Sequence, residues 1–148
     1  MIEIANTTNF KVNKPEVSLI FEAFFKFFKV KRGDVSLAII GDRRMKTLNS
    51  IYRGYNKTTD VLSFTDTQEI IINPQEIKRL SKYKEILEFI GTAYPPKNLK
   101  KTQEYLFYFI FVHGLLHLIG YNDESEKDRL EMLALGLNFL TKHGIIIK

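Results

Sequence analysis

A chain of 148 residues with 45% hydrophobic and 26% charged residues is ordinary for one soluble globular domain and long enough to bury a core. It contains no cysteine, which excludes disulfides and thiolate metal sites and leaves His, Asp and Glu to hold any metal. The net charge of +5 favours an anionic partner without naming one.

In chain order, the opening MIEIANTTNF has Glu3 where a signal peptide needs apolar residues, so no leader and a cytoplasmic location are expected. Ile2 to Ala5 predicts a short strand. Pro15, near a first helical position, opens a Phe-rich helix predicted through Val30. Residues 34–40 (DVSLAII) predict a strand closed by Gly41. Met45, Leu48 and Tyr52 recur at helical spacing over 42–53, with Asp42 as the candidate N-cap. Residues 60–64 (DVLSF) and 69–73 (EIIIN) predict two strands around a short turn, hence an antiparallel pair. Pro74 begins a helix predicted to about Ile90, and 91–98 (GTAYPPKN) is a loop. A long helix is predicted from about Leu99 to Ile119, and a last one from Ser125, a capping-box-like start with Asp128, to about Lys142. The closing GIIIK is a short strand or a frayed tail. The expected class is α/β (α+β), one domain over 1–148, with a small mixed sheet of about four strands packed with about five helices.

The long apolar run, Leu106 to Tyr121, is too short to span a membrane, which takes about 20 residues, so it reads as a core helix. His113 and His117 interrupt it. Four residues apart on a helix, two rings share one face with Cβ atoms about 5–6 Å apart, the spacing one metal ion needs. A single core histidine is common, but burying two unpartnered rings costs several kcal/mol. Gly120 can end the helix with positive φ and turn the chain back, bringing Asp123 within reach as a third ligand. The other role open to Asp123 is a cap for the following segment. A His-His-Asp set with an open position is a catalytic rather than a structural zinc arrangement.

The stretch HGLLHLIGYND (113–123) resembles the His-Gly-x-Leu-His-Leu-x-Gly-Tyr-Asp-His signature of the YbeY family, bacterial endoribonucleases of ribosomal RNA maturation. A second block, LNSIYRGYNKTTDVLSF (48–64), is similar to that family's Leu-Asn-x-x-Tyr-Arg block running to Thr-Asp-Val-Leu-Ser-Phe. The chain departs from the pattern at Asp123, where the family usually has His, at Asn122, usually Asp, and at Gln68-Glu69-Ile70, usually Gly-Asp-Ile. The resemblance implies a metalloprotease-like zinc helix, His113, His117 and Asp123 as metal ligands, and Arg53 as the catalytic residue. It implies one Zn2+ per chain, although two His and one carboxylate suit Fe2+ as well, and Ni2+ stays open. It also implies single-stranded RNA, rRNA above all, as substrate in rRNA maturation and ribosome quality control. Small-subunit ribosomal proteins or a GTPase are the partners it suggests, and neither DNA nor a membrane is expected. Arg43, Arg44, Lys46 and Lys57 are the candidate RNA-binding cations.

Two other functions compete. A ribosome-associated RNA-binding factor with a structural metal would carry the same basic groups and interleaved tyrosines, Tyr52, Tyr55, Tyr83 and Tyr94. A zinc metalloprotease needs a Glu directly after the first histidine as general base, and this chain has Gly114 there. Thr59, Asp60 and Ser63 read as structural, and His143 as a basic ring at a helix C-terminus.

Overall fold

The computed structural model describes residues 1–147 and builds them around a four-stranded mixed sheet. β1 (Ile2–Asn6) leads through α1 (Lys14–Phe27) to β2 (Val35–Ile39), which pairs parallel to β1. After α2 (Asp42–Arg53) come β3 (Val61–Phe64) and β4 (Glu69–Ile72), an antiparallel pair as expected. β4 inserts beside β2 and parallel to it, so the order is β1-β2-β4-β3 and β3 becomes an edge. At the turn between them Gln68 adopts φ +54, at the place where the family pattern has Gly.

Strand alternation divides the core. Leu37, Ile39, Ile70 and Ile72 join α1 and the long helix α5 (Leu99–Leu118) in the main core. Ile40, Leu62 and Ile71 meet Met45 and Leu48 of α2 in a smaller core. α2 and α5 therefore lie on opposite faces of the sheet. From Tyr105 to Leu118 every residue of α5 is buried except His113 and His117. A helix apolar on all sides belongs in the middle of a fold, and the two rings mark the one place where it opens.

Gly114 sets the distance between α5 and the sheet. A Cβ there would lie 2.9 Å from Ile70 Cγ2 and 3.2 Å from Ser63 Oγ. The Ser63 hydroxyl donates to the Gly114 carbonyl at 3.3 Å, so a small side chain of the edge strand meets the helix backbone directly.

Several local expectations need correction. Asp42 is not the N-cap of α2; Gly41 holds that position without a side-chain bond, and the Asp42 carboxylate accepts from Arg79 and Asn73 instead. The single helix expected over 74–90 is three pieces: α3 (Pro74–Ile77), a 3₁₀ turn (Leu80–Tyr83) and α4 (Lys84–Phe89). Arg79 leaves helical geometry at φ −87°, ψ 70° between them, and its guanidinium bonds both Asp42 and Glu76. Tertiary ion pairing here overrides local helix propensity. α1 stops at Phe27, short of Val30, with Lys29 at φ +56. α6 (Glu126–Lys142) starts as expected, with Ser125 Oγ accepting from Asp128 N at 3.1 Å. Among the described residues there are six helices, two of them very short, in keeping with the expected count of about five. Residues 144–147 form no strand, and Ile145 and Ile147 pack against the core. The last residue of the expected GIIIK element, Lys148, lies outside the described residues.

Candidate metal centre

Helical spacing brings the His113 and His117 rings to 4.7 Å between centroids, nearly perpendicular, with the two Nε2 atoms 3.2 Å apart. α5 ends at Leu118 with Ile119 as its C-cap, and Gly120 takes φ +110, a region that favours glycine. The reversal does two things. It aims the Tyr121 carbonyl at His117 Nδ1, 3.0 Å away, and it returns Asp123 so that Oδ2 stands 3.5 Å from His113 Nε2 and 3.7 Å from His117 Nε2.

These distances fit one ion. Ligands bonded at about 2.0–2.1 Å to a tetrahedral metal stand roughly 3.3 Å from each other. The protonation pattern fits as well. A carbonyl only accepts, so His117 Nδ1 carries the hydrogen and its Nε2 presents a lone pair to the site. Burial, then the neighbouring His113, push the His117 pKa down, with Arg53 acting the same way; Asp123 and the Tyr121 carbonyl oppose them. The ring is neutral and ready to ligate at neutral pH. His113, as a hydrogen-bond partner, and then His117 hold the Asp123 carboxyl below its usual range, against the burial that raises it. Among the described residues His113 Nδ1 is the buried side-chain polar atom left without a partner. An orphan of that kind costs about 1–3 kcal/mol. His113 Nε2, His117 Nε2 and Asp123 Oδ2 meet as three lone-pair atoms, and a cation among them would satisfy those three together while leaving the hydrogen on His113 Nδ1.

Arg53 ends α2 on the other side of the sheet and reaches around the β3 edge. Its Nη2 donates to the Ser63 carbonyl at 3.0 Å, and Cζ lies 5.9 Å from the Phe64 ring centroid. An edge strand has free carbonyls, and one of them fixes this guanidinium. Arg53 and the three donors line one cleft of about 860 Å³.

Of the other expected cations, Lys57 lines this cleft, whereas Arg43, Arg44 and Lys46 lie on exposed positions of α2 outside it. Sequence reading missed Asn49, Lys82 and Arg129, which also line it. Asn49 is buried and donates to the Lys57 carbonyl at 2.8 Å. Lys82 pairs with Glu76 at 3.2 Å and Asp60 at 3.5 Å, and Arg129 with Glu126 and Glu85. A signal existed only for Asn49, which stands in the 48–64 block; the others come from remote segments. Asp60 also accepts from the buried Tyr83 hydroxyl at 3.0 Å, and that burial pushes the Tyr83 pKa up. Asp60 and Thr59 line the cleft, Thr59 Oγ1 donating to the Asp60 carboxylate at 3.4 Å, and neither side chain caps a local amide among the described residues. His143 lies outside it, bonded through Nδ1 to the Phe139 carbonyl at 3.0 Å.

Comparison with known proteins identifies the family. The model of the family described as endoribonuclease YbeY matches residues 3–144. An endoribonuclease YbeY of Nitratiruptor sp. is 35% identical over 111 residues, 75% of this chain and 70% of that protein. One from Aster yellows witches'-broom phytoplasma is 32% identical over 145 residues, 98% of this chain and 95% of the relative. The solution structure of a Thermotoga maritima protein superimposes with a TM-score of 0.56 at 21% identity, covering 97% of this chain and 91% of that one, which speaks for the fold. The matched span takes in the histidine helix, the turn to Asp123 and the arginine at the β3 edge, and the chain belongs to the YbeY family.

Proposed function

We propose that this chain is a metal-dependent endoribonuclease that cuts single-stranded RNA, with one Zn2+ held by His113, His117 and Asp123. By the family's role, its substrate is rRNA, in maturation and quality control of the ribosome, and its place of work is the cytoplasm. The whole chain acts as one hydrolase domain. The observation that carries this reading is the convergence of a three-donor group and a fixed guanidinium in one cleft.

When bound, a divalent ion supplies Lewis acidity, bringing the pKa of a water toward about 7 and polarising a phosphoryl oxygen. The chain's own residues do the rest. Arg53 keeps one nitrogen on the Ser63 carbonyl and turns its remaining donors to the phosphate, where negative charge builds as the bond breaks. Lys57, for which no carboxylate pairing is seen among the described residues, offers a positive charge to the flanking backbone, whereas Lys82 and Arg129 reach the cleft already paired with carboxylates. Small-subunit ribosomal proteins or a GTPase are the partners that would present the RNA.

A peptidase reading has little to stand on. The position after His113 is a glycine wedged against Ile70, and the other carboxylate of the cleft, Asp60, is held by Tyr83 and Lys82. Arg53→Ala separates an enzyme from an RNA-binding factor. Cleavage of a single-stranded RNA should fall by about 100-fold or more while metal content stays whole and RNA affinity drops only a few-fold. Loss of affinity in step with activity would make Arg53 a mere contact.

A further inference from the structure

The chain carries several tyrosines that could meet RNA, and their surroundings sort them. Tyr52 packs edge-on against Phe64 at 5.2 Å, outside the cleft lining. Tyr83 is buried with its hydroxyl on Asp60, and Tyr94 stands apart under Lys84. Phe109 and Tyr121 line the cleft, one buried and the other partly so. Tyr55 lines it too and is 60% exposed.

An exposed aromatic is ordinary by itself. The support beneath this one is not. Asn49, only 4% exposed, donates its side-chain amide to the Lys57 carbonyl at 2.8 Å, and its own carbonyl accepts from Tyr55 N at 3.3 Å. The buried Asn49 thus ties down both ends of the 55–57 segment, through its backbone carbonyl and its side-chain amide, just past the end of the helix that bears Arg53. Lys57 Nζ lies 5.5 Å over the Tyr55 ring, setting positive charge over one face while the residue stays 60% exposed.

We propose that Tyr55 is a base-stacking platform, taking one unpaired nucleobase of the RNA onto its exposed ring while Lys57 meets the adjoining phosphate. This rests on the nuclease reading above and adds to it the subsite that asks for a single strand. A π-face accepts any base, so the platform is indifferent to sequence, and a base already stacked inside a duplex cannot reach it.

The chain has no tryptophan, so Tyr55→Trp places a sole indole on the platform. Its emission is read in the full chain within seconds of mixing with a short single-stranded RNA, the same RNA as a duplex, and an abasic ribose-phosphate strand of equal length. The single strand should quench it, and the duplex and the abasic strand should leave it nearly unchanged. In parallel, Tyr55→Ala should weaken single-strand binding about ten-fold and abasic-strand binding hardly at all, and Tyr55→Phe should stay within about two-fold of the parent. Equal quenching by the abasic strand, or parental affinity in Tyr55→Ala, overturns the platform while a protein that still cuts RNA keeps the nuclease reading. A parent chain that neither binds nor cuts RNA overturns both.

Discussion

Asp123 is where this site departs from the family signature, and the geometry gives the change a consequence. A carboxylate adds negative charge beside two imidazole rings and sits 45% exposed, so removing it leaves no void in the core. Asp123→Ala should therefore keep its melting temperature within a few degrees while metal affinity falls by more than the 10–100-fold or so that an outer-shell partner is worth. A variant with full metal occupancy under chelator competition would remove Asp123 from the ligand set. At this scale the sequence was informative in proportion to locality. His113 and His117 declare themselves through helical spacing, and Asp123 through the turn that Gly120 begins. Arg53 is visible only inside its motif, because as a lone helix-end arginine nothing distinguishes it. Lys82 and Arg129 reach the cleft from segments far apart in the chain, and no local pattern records such a meeting.

Among the elements, the contact of α5 with the sheet controls where the histidines sit. Gly114→Ala would gain about 1 kcal/mol of helix propensity, but its Cβ meets a branched strand side chain that cannot retreat. Overpacking of this kind costs about 1–3 kcal/mol, so urea denaturation should show a net loss and metal binding should weaken with it. A variant as stable as the parent would mean that helix and sheet separate freely. The carboxylate of Asp42 ties α2 to α3, through Arg79 and Asn73. The hydrogen bond from Arg79 foremost, against some burial, lowers its pKa. A lowered folded pKa contributes stability above the unfolded value near 3.9, and that contribution is lost as pH falls through the folded one. Acidification below about pH 4 should thus destabilise the parent more steeply than Asp42→Asn, seen as converging denaturation midpoints. Parallel midpoints would show the pair contributes nothing. The same interaction explains two misreadings of the sequence. Asp42 resembles a cap, and 74–90 resembles one helix, until Arg79 is drawn out to Asp42 by a contact between the segments that follow the neighbouring strands β2 and β4.

For the whole molecule, the mixed class, the hairpin and the central apolar helix were all readable from periodicity. The strand order was not deduced, although the run Ile70-Ile71-Ile72 bears the mark of a strand covered on both faces, where β4 lies. That placement leaves β3 as the edge at which α2 and α5 meet from opposite faces, and so brings arginine and histidines into one cleft. The central claim is that three donors hold one metal on which RNA cleavage depends. Elemental analysis of the untagged chain, beside a folded His113→Ala, His117→Ala double variant, tests it most directly. The account predicts close to one zinc per chain, lost in the variant, with cleavage lost on chelation and regained on adding zinc. A folded parent chain that takes up no metal under any loading condition, or that cuts RNA equally well without it, would contradict it.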